Sequence, residues 1–279
     1  MHRKTIKNKA ALEGIGLHKG GPAKVFFLPA PGPTGVRFLK PDLTSPVQAS
    51  LASVAGTARG TSISGGGRTI YTVEHILSAC AGLGIDDLDV ALEGEEPPAA
   101  DGSALPFAAA LKQAGAAEKP GQEKEFLKLG APVEFRSGEA LYRAAPSGAP
   151  SFKITFSHPH KLVGTQVFEI VLTPENYLSE IAPARTFGFK YEIEQLRAAG
   201  LGLGGSLENA VIIDDDAILS AEGRLRFPDE FVRHKLLDLL GDLKLTGLDL
   251  GAVSVEAVFT GHKANVNFAK LLLERHAVN

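Results

Sequence analysis

Residues 231–242 read FVRHKLLDLLGD, which places His234 and Asp238 four positions apart in a run whose apolar residues recur with a helical period. Residues at i and i+4 share a helix face, with roughly 6 Å between their Cα atoms, so both side chains can reach one point in space. Such a pair is part of a metal site or an ordinary helix-surface hydrogen bond, and the spacing alone leaves both open. A second histidine, His75, stands in YTVEH. Brought together, two imidazoles and one carboxylate leave a tetrahedral zinc one open position, the arrangement of a catalytic site. The same set suits Fe(II). Glu74 directly precedes His75 and stays near whatever that histidine binds. A carboxylate held beside a catalytic metal is the usual general base in metal-assisted hydrolysis, whereas a glutamate at a helix start is also favoured by the helix dipole alone.

His262, in FTGHKANVN, falls where a strand ends at Gly261 and a helix begins. There Asp242 could fix the imidazole and raise its pKa so that it acts as a cationic acid; a loop histidine without a role is the plainer reading. Asp101, in PPAADGSALPF, is assigned to structure, as a helix cap or the first residue of an Asp-Gly turn. The run GLGLGG (200–205) satisfies G-x-G-x-x-G, but it follows a helix where a dinucleotide fingerprint must follow a strand, so it reads as a loop. His158 and His160, in SHPHK, flank a proline and read as a turn. The chain holds neither H-E-x-x-H nor G-x-S-x-G, which argues against a zincin protease and an α/β-hydrolase serine nucleophile.

Elements must position these groups. Period-two runs at 23–30, 87–94, 151–157, 166–173 and 252–261 predict strands, and 3.6-residue periodicity predicts helices over 72–84, 105–115, 191–200, 230–243 and 265–276. Grouped strands and helices favour an α+β fold. The polar segment AGAAEKPGQEKEF (114–126), with Pro and Gly, reads as a linker. On either side of it the same parts recur: a helix with one histidine, a Leu-Gly turn, a strand ending in Gly and a second helix. A duplicated domain explains a length of 279 residues and places His75 and His234 on equivalent helices, able to meet across an interface.

A net charge of −3 with scattered Lys and Arg excludes a nucleic-acid footprint, which needs clustered basic groups. Cys80 is the only cysteine, so an intramolecular disulfide and a multi-cysteine zinc site are both excluded. The N-terminal stretch lacks an apolar signal-peptide core, and no run approaches the roughly 18 apolar residues that span a bilayer. A cytoplasmic protein is expected.

Taken in order, EGIGLHKG (13–20), TVEHILSACAGLGIDD (72–87), DGSALPF (101–107), ARTFGF (184–189), GLGLGGSLENAVIIDD (200–215), LRFPDEFVRHKLLDLLGDL (225–243) and GHKANV (261–266) resemble the UDP-3-O-acyl-N-acetylglucosamine deacetylases of bacterial lipid A biosynthesis. The resemblance implies two similar βααβ domains packed as a layered sandwich, over 1–120 and 121–279, each with a small insert and with the active site at their interface. It implies Zn²⁺, or Fe²⁺, on His75, His234 and Asp238, with Glu74 as the base that activates water. His262 matches the acid to the leaving amine with Asp242 behind it, and Thr186 matches a hydroxyl that helps hold the oxyanion. Lys235 and Phe187 match contacts to the substrate's phosphate and sugar regions.

The resemblance also implies that the second insert, about 189–213, forms an apolar passage for the fatty acyl chain. Ile193, Leu196, Leu201, Val211 and Ile212 are the aliphatic side chains for its wall, with Gly202 and Gly205 leaving the lumen open and Ser206 beside them. The chain departs from the family at Ala99 and Ala100, where bulkier apolar residues are common, and at Lys263, where Ser or Ala is common. A lysine turned toward His262 would lower its pKa; Lys263 is expected to face solvent. The expected partner is the UDP-acyl sugar, the expected state a monomer. A silent sugar-nucleotide or lipid-binding homologue and a metal-dependent amidase on another substrate are the competing readings, separable by metal-dependent turnover and by blocking the passage.

Overall fold

Pro22–Pro29 alternates buried and less buried residues, with Ala23, Val25 and Phe27 inward, and it lies second in a five-stranded sheet. The computed structural model describes residues 1–276. The sheet order is Ala10–Ile15, Pro22–Pro29, Leu88–Glu93, Val36–Leu39, Val47–Gln48, and only the pairing of Leu88–Glu93 with Val36–Leu39 is parallel. A second five-stranded sheet runs Val133–Ser137, Ala140–Pro146, Val253–Val258, Ser151–His158, Gly164–Val171, again with one parallel pairing, between its third and fourth strands. In both sheets the central strand is the last to be made and enters between the second and third in chain order. The fold is α+β.

In each half a helix precedes that late central strand and another follows it: Glu74–Leu83 and Leu105–Ala114 in the first, Glu230–Lys244 and His262–Glu274 in the second. The Glu230–Lys244 helix is buried on almost every side, as expected for a helix between layers rather than on a surface. It packs against the Glu74–Leu83 helix so closely that a Cβ on Gly241 would come within 2.2 Å of the Glu74 carbonyl oxygen. Only glycine admits that approach, and it brings the two site-bearing helices into register. The apolar core continues from Phe27, Phe38 and Leu77 through Leu236 and Leu240 to Phe152 and Phe268, joining both sheets. Among the described residues no helix is long and apolar enough to cross a membrane.

The segment expected as a linker is instead a strand over Ala116–Glu123, antiparallel to His2–Ile6. Its Pro and Gly suggested a break, yet part-buried and exposed positions largely alternate along it, and the N-terminal strand supplies its partner. Just beyond it, part-buried Lys124 donates to Asp249 at 2.6 Å and pairs with Asp86 at 3.0 Å, tying the connection to both halves. The second half carries an insert with its own three-stranded sheet, Phe187–Phe189, Val211–Ile213 and Ile218–Leu219, around a small core of Val163, Phe189, Val211, Ile213 and Phe231. The predicted helix at 191–200 is shorter, Ile193–Ala198. GLGLGG is a loop; Gly204 lies against the first half, where a Cβ would meet the Gly16 carbonyl oxygen at 2.0 Å.

Candidate active site

His234 and Asp238 project from one face of the central helix, one turn apart, and His75 enters from the first turn of the Glu74–Leu83 helix. All three are buried, and one ligating atom from each lies within 4.8 Å of the other two. The His75 and His234 rings meet edge to face, 5.2 Å between centroids. His234 Nδ1 lies 3.1 Å from the Ala184 carbonyl oxygen, which can only accept, so the ring proton sits on Nδ1. The lone pair of Nε2 therefore faces the Asp238 carboxylate at 3.3 Å, an arrangement of acceptor against acceptor that a cation between them resolves.

The charge states suit that role. Burial, reinforced by His234, lowers His75 to about 3, and burial lowers His234 as well, so both imidazoles stay neutral. Burial works against the Asp238 carboxylate, but the groups around it, with the Lys235 ammonium 2.9 Å away, hold it below the ordinary range. Two neutral nitrogens and one anionic oxygen form a donor set that fits Zn²⁺ or Fe²⁺.

Beside this cluster, burial raises Glu74 to about 7, with His262 opposing. Glu74 Oε2 accepts from the Thr61 amide at 2.9 Å, and Oε1 lies 3.9 Å from His262 Nε2. His262 opens its helix and directs Nδ1 at Asp242 Oδ2, 3.0 Å away. Burial disfavours the imidazolium, but Asp242 and then Asp238 outweigh it and raise His262 to about 9, so the ring is a cation at neutral pH. Asp242 is fully buried and accepts from Asn265 at 2.8 Å and from the Thr61 hydroxyl at 2.5 Å. A buried carboxyl group and an imidazolium thus face one another beside the His75, His234 and Asp238 cluster, a pairing able to take and give protons.

A cavity of about 640 Å³ is lined by Glu74, His75, His234, Asp238 and His262 together with Thr186, Phe187 and Lys235. Lys235 donates to Asp238 Oδ2 at 2.9 Å and lies over the Phe187 ring. Lys263 is exposed at the rim. Thr186, Phe187 and Gly188 also border a second cavity of about 300 Å³, lined by Ile193, Leu196, Gly202, Gly205, Ser206 and Ile212 of the insert. Leu201 and Val211 are not in its wall. Val211 pairs with Phe187 on a strand whose alternation turns Val211 and Ile213 into the small core and Ile212 toward the cavity. The first half closes the cavity's other side, a feature the sequence hides: His18 accepts from the Gly202 amide at 3.3 Å, and Arg59 pairs with Glu192 at 2.7 Å.

Asp101 accepts from the Ser103 amide and hydroxyl, a turn-shaping role, and also holds Arg226 of the second half at 2.8 Å. His158 stacks on Phe189 at 4.1 Å and reaches the larger cavity. Among the described residues the four non-glycine positions with positive φ, Arg59, Thr72, Ala100 and Phe259, each stand one to three positions before Thr61, Glu74, Asp101 or His262. Strained backbone of this kind persists where surrounding structure enforces a particular side-chain placement.

The family described as UDP-3-O-acyl N-acetylglycosamine deacetylase matches residues 3–274. The chain is similar to the UDP-3-O-acyl-N-acetylglucosamine deacetylase of Anaeromyxobacter sp. (strain Fw109-5), 41% identical over 273 residues that cover 98% of this chain and 88% of that protein. It is likewise similar to the protein of the same name from Campylobacter fetus subsp. fetus (strain 82-40), 39% identical over 98% of this chain and 92% of the relative. A family match over nearly the whole length, with relatives about 40% identical over 98% of the chain, shows that the chain belongs to the UDP-3-O-acyl N-acetylglycosamine deacetylase family and is an N-deacetylating hydrolase.

Proposed function

We propose that this chain hydrolyses the N-acetyl group of UDP-3-O-(3-hydroxyacyl)-N-acetylglucosamine, giving acetate and UDP-3-O-acyl-glucosamine in lipid A biosynthesis. The observation that carries the reading is the ligand cluster flanked by Glu74 and the His262–Asp242 pair, in a cavity that shares a wall with a second one built for aliphatic contact. His75, His234 and Asp238 would hold Zn²⁺, with Fe²⁺ as the alternative. A divalent cation there supplies Lewis acidity that polarises a carbonyl and acidifies water.

The protein's own groups do the rest. Glu74 takes a proton from water as the water oxygen adds to the acetyl carbon, and the Thr186 hydroxyl donates to the carbonyl oxygen as it gains charge. His262 gives its Nε2 proton to the sugar nitrogen as the carbon–nitrogen bond breaks, releasing acetate and a neutral amine. Asp242 holds the ring by Nδ1 and offsets the positive charge. Phe187 and Lys235 contact the sugar and phosphate regions, and Ile193, Ile212 and Gly205 accept the acyl chain. Burial of that chain contributes about 0.8 kcal/mol per methylene.

The matching strand order of the two sheets supports a duplicated unit, residues 1–120 and 121–279, packed as βααβ layers with the site between them. One chain supplies every group of the site, which supports a monomer, and a nucleotide-sugar substrate supports a cytoplasmic reaction. The test is acetate release from UDP-3-O-acyl-N-acetylglucosamine, before and after chelation. Release that disappears with the metal and returns with Zn²⁺ is expected; binding of that substrate without acetate release by the metal-loaded protein would overturn the reading.

A further inference from the structure

Thr61 has no part in the steps above, yet it touches both proton-transfer groups. It is fully buried, one residue before the strand Ser62–Gly65. Its amide donates to Glu74 Oε2 at 2.9 Å, and its hydroxyl donates to Asp242 Oδ1 at 2.5 Å. The same hydroxyl oxygen lies 3.3 Å from His262 Nδ1. Its carbonyl accepts from Val73 at 3.1 Å, fixing the loop to the start of the helix that carries Glu74. A Cβ on Gly60 would already be 3.0 Å from Glu74 Oε1, so this loop lies directly on the carboxylate.

We propose that Thr61 is a positioning residue that sets the base and the acid to a common frame across the interface between the two halves. The inference rests on the deacetylase reading for what the two groups do, but not for where they sit. Asp242 Oδ2 is occupied by His262 and Asn265, whereas among the described residues Oδ1 receives only the Thr61 hydroxyl. Without that donor a buried carboxylate oxygen is left unsatisfied, and rotation toward another donor carries Oδ2 away from His262 Nδ1. The imidazole then loses the partner that fixes its plane, and Nε2 no longer addresses the nitrogen that must leave. Misplacement of a proton donor by even about 1 Å lowers the rate of the chemical step more than it weakens substrate binding.

The test uses the full-length metal-loaded protein with Thr61→Val, which keeps shape and the backbone donor but removes the hydroxyl, and Thr61→Ser, which restores it. With UDP-3-O-acyl-N-acetylglucosamine as substrate, well below each unfolding midpoint, Thr61→Val is expected to lose about 10-fold or more in kcat with KM within about twofold. Bound metal stays at the wild-type level, and Thr61→Ser recovers kcat to within about threefold. The Nδ1 proton resonance of ¹⁵N-labelled His262 is expected to shift or vanish by exchange in Thr61→Val and to return in Thr61→Ser. Should Thr61→Val fail to fold, Thr61→Cys, with a weak thiol donor, is read by the same criteria. Wild-type kcat in Thr61→Val, an unchanged His262 resonance, or a Thr61→Ser as impaired as Thr61→Val would overturn the proposal. A wild-type protein that releases no acetate would instead remove the deacetylase reading, and the His262 resonance would still decide the positioning role.

Discussion

Replacing Asp242 with Asn removes the charge that keeps His262 protonated while conserving size. The carboxylate, itself fully buried, lies 3.0 Å from His262 Nδ1 and is the leading reason that His262 rises from 6.5 to about 9. Returning the imidazole to its ordinary value undoes about 2.5 pH units of bias toward the cation, on the order of 3 kcal/mol. At pH 7.5 the protonated fraction then falls from about 97% to about 9%, roughly tenfold in any rate that needs the acid form. The sign follows from the roles: activity needs Glu74 deprotonated and His262 protonated. It therefore rises as pH climbs through Glu74's range, at or below about 7 because a cation beside it favours the carboxylate, and falls above about 9. In Asp242→Asn the alkaline limb moves to about 6.5 or lower, since burial continues to disfavour the cation, and the two limbs close on each other. The assay is kcat and kcat/KM for acetate release over roughly pH 5.5 to 10, which spans the ordinary carboxylate and imidazole ranges. An Asp242→Asn enzyme whose alkaline limb stays near 9 would refute the assignment of that limb to a His262 cation held by Asp242.

Two further perturbations follow from the geometry. Gly205→Phe puts a ring into the insert's cavity, and excluding about four methylenes at about 0.8 kcal/mol each lowers kcat/KM for a long-chain substrate by roughly 200-fold. A short-chain substrate should be spared, and equal losses for both chain lengths would remove the cavity as the acyl passage. Gly241→Ala forces a methyl against the Glu74 carbonyl where the two central helices touch, an overpacking cost of about 1–3 kcal/mol. Its unfolding midpoint should drop by several degrees and its activity should fall as Glu74 shifts; an unchanged midpoint would show that the helices have room to part.

Some of this was legible from residue order because the signals are local. The long helix at 230–244 declares itself by periodicity, and His234 with Asp238 by their spacing within it. Four of the five alternating runs became inner strands of the two sheets, and the fifth, 166–173, became the edge strand Gly164–Val171, since half-buried strands need that pattern. Val47–Gln48 is too short to carry a period, and Ala10–Ile15 is largely exposed at a sheet edge, so neither shows one. Ala116–Glu123 was hidden by its Pro and Gly, because its strand character depends on a partner more than a hundred residues away. Thr61 offered nothing beyond a threonine in RGTS; its hydroxyl finds Asp242 across 181 positions of chain. His18 and Arg59 were equally silent, because they meet the insert only once the two halves are packed. Val211 was misplaced for a different reason. A three-residue strand gives no register, and the small core claims every second side chain.

The most direct measurement is acetate release from UDP-3-O-acyl-N-acetylglucosamine by the wild type and Glu74→Ala, with bound metal counted in each. A wild type that turns over, beside a variant that keeps its metal and loses about 10²–10⁴ in kcat, is the predicted result. A Glu74→Ala protein as active as wild type, or a fully metallated wild type that leaves this substrate untouched, would contradict the account.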